Sequence, residues 1–190
     1  MSIRTRRKVL KGLGVAMPVA WMTPVVSSVV LPAHATTSCT VYAIGDTGPG
    51  GGIVFYTSNG GCNGLEAATA DQSTGAEWGC AGVDVSGATG TAIGTGESNT
   101  AAILSALCPG SDPDAAIAAA NEGPGWFLPS KDELNQLYLQ RTVVGGFEIA
   151  QYWSSSQSSA GNARFQSFFN GRQVDSDKIL TLRVRAVRAF

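Results

Sequence analysis

Ser130-Lys131-Asp132-Glu133-Leu134-Asn135-Gln136-Leu137-Tyr138-Leu139-Gln140-Arg141 is the stretch that decides the fold class. Ser130 and Glu133 have the Ser-x-x-Glu spacing of a capping box, in which two side chains satisfy amides that a helix start leaves bare. Leu134, Leu137 and Tyr138 follow at helical spacing, so a helix is predicted over 130–141. Upstream, the apolar spacing from Asn99 to Leu107 is also helical. Asp114 to Ala120 reads as a third, alanine-rich helix, with Asp112 as its N-cap and Pro113 behind it. Gly123-Pro124-Gly125 ends that helix. Outside this helical middle the pattern is β. Residues 40–44 and 53–57 read as strands on either side of the Gly48–Gly52 turn, and 81–96 reads as loop. Tyr152 to Ser155, Arg164 to Phe169 and Leu182 to Phe190 read as three further strands, the last with the alternation of a half-buried one. The expected architecture is α+β: an N-terminal β-hairpin, two or three inserted helices, and C-terminal antiparallel strands.

The 190 residues suffice for one domain with a real core. Five of the 13 basic residues lie in the first eleven positions, and all 14 acidic ones lie beyond residue 45. Residues 5–11 read Thr-Arg-Arg-Lys-Val-Leu-Lys, an apolar run extends from Gly12 to Leu31, and Ala33-His34-Ala35 supplies a small-x-small site. This is the pattern of a twin-arginine export signal spanning 1–35, cut between Ala35 and Thr36, with a single domain over 36–190. The cut chain carries −6 and lacks the one histidine, His34. That argues against a nucleic-acid binder and removes histidine-based catalysis and metal binding.

Cys39, Cys62, Cys80 and Cys108 show no CxxC spacing, so disulfides in an oxidising compartment are expected rather than zinc. Four cysteines allow three connectivities. Positions 39 and 62 are nearly symmetric about the Gly48–Gly52 turn, which favours Cys39–Cys62 with Cys80–Cys108.

Several motifs have plainer readings than the chemistry they evoke. Asp46-Thr47-Gly48 lacks the second aspartate an aspartic protease needs, and Asp46 reads as a turn residue. Gly48-x-Gly50-Gly51-Gly52 precedes a strand, not a helix, so it reads as a turn rather than a phosphate cradle. The serines of 154–159 have no histidine or Ser-x-x-Lys partner and read as solvated loop or strand-edge residues. Asp175-x-Asp177 does not resemble a calcium loop. No cofactor and no metal are expected, and no catalytic residue is assigned.

Charge is more informative. Residues 36–150 carry −10 and residues 151–190 carry +4. If the C-terminal strands share a face, Arg164, Arg172, Lys178, Arg183 and Arg185 form a basic patch suited to sulfate or carboxylate groups, with Trp153 as a stacking candidate. Internal pairing with the domain's own acids is the competing reading.

Five motifs occur in order: Ile44-Gly45-Asp46-Thr47-Gly48-Pro49-Gly50-Gly51-Gly52-Ile53-Val54-Phe55-Tyr56, Gly64-Leu65-Glu66-Ala67-Ala68, Trp126-Phe127-Leu128-Pro129-Ser130-Lys131-Asp132-Glu133-Leu134, Tyr152-Trp153-Ser154-Ser155-Ser156 and Val184-Arg185-Ala186-Val187-Arg188. Over roughly 40–190 the chain thus resembles the C-terminal domain family of the Lcl collagen-like adhesins. The resemblance implies a C-type-lectin-like domain on an exported bacterial protein, associated with sulfated glycosaminoglycans and self-association into trimers. The collagen-like stalk is missing here. The resulting expectation is an exported, non-catalytic binding or adhesion domain for a glycan or other surface polymer, with homo-oligomerisation open. The alternatives are a carboxylate-dependent envelope hydrolase and a purely structural surface domain. The basic-patch version predicts salt-sensitive binding to heparin-like polymers, reduced by Arg172→Ala and Arg183→Ala.

Overall fold

The computed structural model describes residues 39–108 and 114–190. The expected export signal, its expected Ala35–Thr36 cleavage site and the expected Asp112 cap lie outside them. The elements are β1 (Ile53–Ser58), β2 (Asn63–Ala67), β3 (Ser73–Glu77), α1 (Gly96–Ser105), α2 (Asp114–Ala120), β4 (Trp126–Phe127), α3 (Lys131–Leu139), α4 (Arg141–Val144), β5 (Gln151–Gln157), β6 (Asn162–Ser167), β7 (Gln173–Asp177), β8 (Thr181–Val184) and β9 (Val187–Ala189). The class is α+β. A four-stranded sheet has the order β1-β2-β9-β4, and a five-stranded sheet the order β3-β8-β5-β6-β7. All neighbours are antiparallel except β5 and β8, which run parallel and meet at the single pair Tyr152–Arg183.

The predicted capping box is present. Ser130 Oγ accepts from the Glu133 amide at 3.3 Å, and Glu133 Oε2 accepts from the Ser130 amide at 2.7 Å. Glu133 reaches further, its Oε1 accepting from the Gly94 amide at 2.7 Å and facing that of Gly96 at 3.4 Å. One buried carboxylate thus ties the starts of α3 and α1 together. Burial pushes its pKa up, against the opposing pull of these amides. A Cβ on Gly96 would lie 2.1 Å from Glu133 Oε2, so only glycine fits there. Ser130→Ala removes an N-cap and a bond to the Ala92 carbonyl. A stability loss of about 1–2 kcal/mol by denaturant unfolding is the expected outcome.

The opening hairpin differs from the expectation. Residues 40–44 form no strand; β1 pairs with β2 across the short turn Asn59–Gly61, and β2 was not foreseen. The glycine run before β1 forms a cradle instead. The Gly50 and Gly52 amides donate to the Glu66 carboxylate at 2.7 and 2.9 Å, and Arg188 pairs with it at 2.9 Å. The loop does hold an anion, and that anion is the protein's own Glu66, fully buried. Cys39 nonetheless bonds to Cys62, because the Tyr42 amide donates to the Gly61 carbonyl and lays the leading segment beside the turn. Cys80 bonds to Cys108.

The closing run also departs from one long strand. Leu182, Val184 and Ala186 are buried in alternation, and then Val187 is buried out of phase. The chain crosses there from the larger sheet (β8) to the smaller (β9), and Arg185 fills the corner. Two cores result, one around Trp78, Ile103, Leu128 and Trp153, the other around Phe55, Leu134, Leu137, Tyr152 and Phe168. Consecutive residues Tyr152 and Trp153 serve opposite cores, so β5 is buried on both faces.

Candidate functional site

β5 carries no amphipathic stripe because its polar residues are structural. Ser154 Oγ donates to the Arg164 carbonyl, Ser156 Oγ to that of Gly90, and Asn99 donates to Ser155 Oγ. The serines 154–156 are buried partners within the fold, not the solvated residues expected. Trp153 is wholly buried, its Nε1 donating to the Ala76 carbonyl at 2.9 Å, so it offers no face to a ligand.

The basic residues of the C-terminal strands are spread rather than gathered. Arg185 is buried in the corner it fills. Its Nε donates to Asp71 Oδ1 at 2.8 Å, its guanidinium bonds the Ala68, Gly145 and Gly146 carbonyls, and it stacks over Phe147. Lys178 is fully buried over the Trp78 ring, donating to the Val83 carbonyl and Gln157. Arg164 faces Asp175 at 3.5 Å across the β6–β7 pair, and Arg188 belongs to the Glu66 cradle. Arg185, Lys178 and Trp153 are thereby removed from the set of ligand contacts, since burial and internal partners occupy them. Arg172 is exposed and makes no ion pair among the described residues. The +4 of the last forty residues is largely consumed by acids from the first half of the domain, Asp71 and Glu66.

Arg183 is the exception that reaches a cavity. Its Nη1 lies 2.9 Å from Asp71 Oδ2, with a quarter of its side chain in solvent. Hydrogen bonding to Asp71 raises its pKa, so it stays charged. The same Asp71 oxygen accepts from Tyr152 Oη at 3.0 Å, and burial pushes Tyr152 up to about 12. Beside Arg183 opens a groove of ≈ 540 Å³, where the short parallel seam lets β8 and the start of β5 part. Thr74, Gln151, Asn170, Thr181 and Arg183 give it polar walls, and Ile149 and Phe169 give it apolar ones. Phe169 is 74% and Ile149 77% exposed, high for such side chains. A second cavity of ≈ 270 Å³, with Phe147, Glu148 and Phe168, shares Ile149 as its border. The first lies within the size range of small-ligand sites.

Sequence reasoning placed Arg183 but missed Ile149, Phe169 and Asn170. The available signal was Phe168-Phe169 before Asn170-Gly171: at a strand end, one aromatic of an adjacent pair must face outward. Phe168 is buried among Phe147, Tyr138 and Tyr152, and Phe169 is the outward one. Among the described residues no group of acids, cysteines or histidines is arranged to hold a metal ion. Among them, too, no helix is long and apolar enough to cross a membrane. Compared with known proteins, the chain matches no family model and no curated protein sequence.

Proposed function

We propose that this chain is an exported binding domain of C-type-lectin-like architecture, akin to the Lcl adhesin C-terminal domains, that recognises a glycan chain in the groove beside Arg183. The observation that carries the reading is the pairing of an exposed aromatic, Phe169, with hydroxyl, amide and guanidinium groups on one open surface. Sugar rings present an apolar face and a ring of hydroxyls, and this lining supplies partners for both. Asp71, the carboxylate beside Arg183, is committed to two guanidiniums and a tyrosine, which favours binding over carboxylate-driven hydrolysis. Two disulfides suit an oxidising compartment outside the cytoplasm, which agrees with the export read from the N-terminal sequence. With most C-terminal cations paired internally, a neutral or weakly acidic glycan fits better than a densely sulfated one.

A glycan-array screen of the exported protein, with Phe169→Ala alongside, tests the reading. The wild type is expected to retain a defined set of glycans at both low and high salt. Phe169→Ala is expected to weaken those signals about tenfold, the worth of one stacking contact, without changing the unfolding midpoint. Binding that collapses with salt and is indifferent to Phe169 would contradict the groove.

A further inference from the structure

Lys178 is buried with no carboxylate in ion-pair contact among the described residues, and what surrounds its amine is reactive in kind. Nζ lies 3.0 Å from Oε1 of Gln157, itself 3% exposed, and 2.9 Å from the Val83 carbonyl, beneath the Trp78 ring at 4.4 Å. The Gln157 carbonyl oxygen also accepts from the Val85 amide at 3.0 Å. Its Nε2 donates to Asp84 Oδ1 and to the Val85 carbonyl. The carboxamide is therefore pinned beside the amine, with an N–H at the oxygen where negative charge would develop and a carboxylate at the nitrogen that would leave.

We infer that Lys178 and Gln157 are the two ends of an intramolecular isopeptide bond, formed by the folded domain itself. Asp84 takes a proton from the Lys178 ammonium through water, and the freed electron pair attacks Gln157 Cδ. The tetrahedral oxyanion is held by the Val85 amide. Its collapse breaks the Cδ–Nε2 bond as Asp84 returns that proton to the departing nitrogen, and the second proton shed by the former Lys178 nitrogen passes to the released ammonia. One lysine ammonium and one carboxamide become one secondary amide and one ammonium ion, with no oxidant consumed. Burial pulls the Lys178 amine down to about 8, against the pull of Asp84, which makes the free base accessible near neutral pH. The product amide keeps one N–H for the Val83 carbonyl and removes the buried charge. Unlike the two disulfides, this link requires no oxidising compartment.

Peptide mapping of the reduced and alkylated protein decides the matter. Trypsin cuts after Arg141, Arg164, Arg172 and Arg183, and after Lys178 only if its amine is free. The expected product is Thr142–Arg164 joined to Gln173–Arg183, lighter than the two together by about 17 Da, the mass of ammonia. Gln157→Leu is expected to abolish this species, and Asp84→Ala to reduce its fraction at least tenfold in freshly made protein. Separate Gln173–Lys178 and Ile179–Arg183 peptides as the wild-type products would overturn the inference, whatever the variants do.

Discussion

Asp71→Ala is expected to cost the fold about 3–5 kcal/mol, the usual consequence of stranding a buried charge. Arg185 has no exposed side-chain surface, and Asp71 is its only anionic partner among the described residues. The carboxylate also holds Arg183 and the Tyr152 hydroxyl. Its removal leaves a guanidinium in the corner between the sheets with only carbonyls and the Phe147 ring around it. Arg183→Ala is expected to cost far less, because that side chain is partly solvated. Guanidinium unfolding of the two variants measures the contrast. Equal losses would mean that the corner is not the stress-bearing position described.

Glu66→Ala is the second large effect, expected at about 3–4 kcal/mol. Three donors converge on that carboxylate: the amides of Gly50 and Gly52 and the guanidinium of Arg188. Each buried donor left bare costs about 1–3 kcal/mol, offset in part where relaxation admits water. Glu66→Gln keeps an acceptor for one amide and is expected to recover about half of the loss. Gly50→Ala is expected to resemble Glu66→Ala, since its Cβ would stand 2.6 Å from Glu66 Oε1 and 2.8 Å from Arg188. Thermal unfolding followed by circular dichroism ranks the three. A Glu66→Ala midpoint within a degree or two of wild type would refute the cradle.

The elements readable in the sequence were those whose signals are local. A capping box and helical apolar spacing placed α3, and alanine spacing placed α2. β2, β3 and β7 escaped because their residues, Asn-Gly-Leu-Glu-Ala, Ser-Thr-Gly-Ala-Glu and Gln-Val-Asp-Ser-Asp, have little β-propensity and owe their state to partners distant in sequence. The same holds for charge. Net charge by segment located an acidic body and a basic tail, but the pairing of Asp71 with Arg183 and Arg185 spans more than one hundred residues. Only the fold could turn a supposed basic patch into internal ion pairs. Of the proposed ligand contacts, Arg183 lines the groove, Arg172 stays in solvent, and Arg164 is half-engaged with Asp175. Of the groove's apolar walls, Phe169 could have been read from the Phe168-Phe169 pair before Asn170-Gly171, whereas Ile149 carries no local signal of its exposure.

The most direct test of the groove is a backbone-amide NMR titration of the protein with the glycan that binds best on the array. The account predicts shifts concentrated at Gln151, Phe169, Asn170, Thr181 and Arg183, with Arg164 and Arg188 unmoved. Shifts centred on another face, or no shifts with any array-positive glycan, would contradict it.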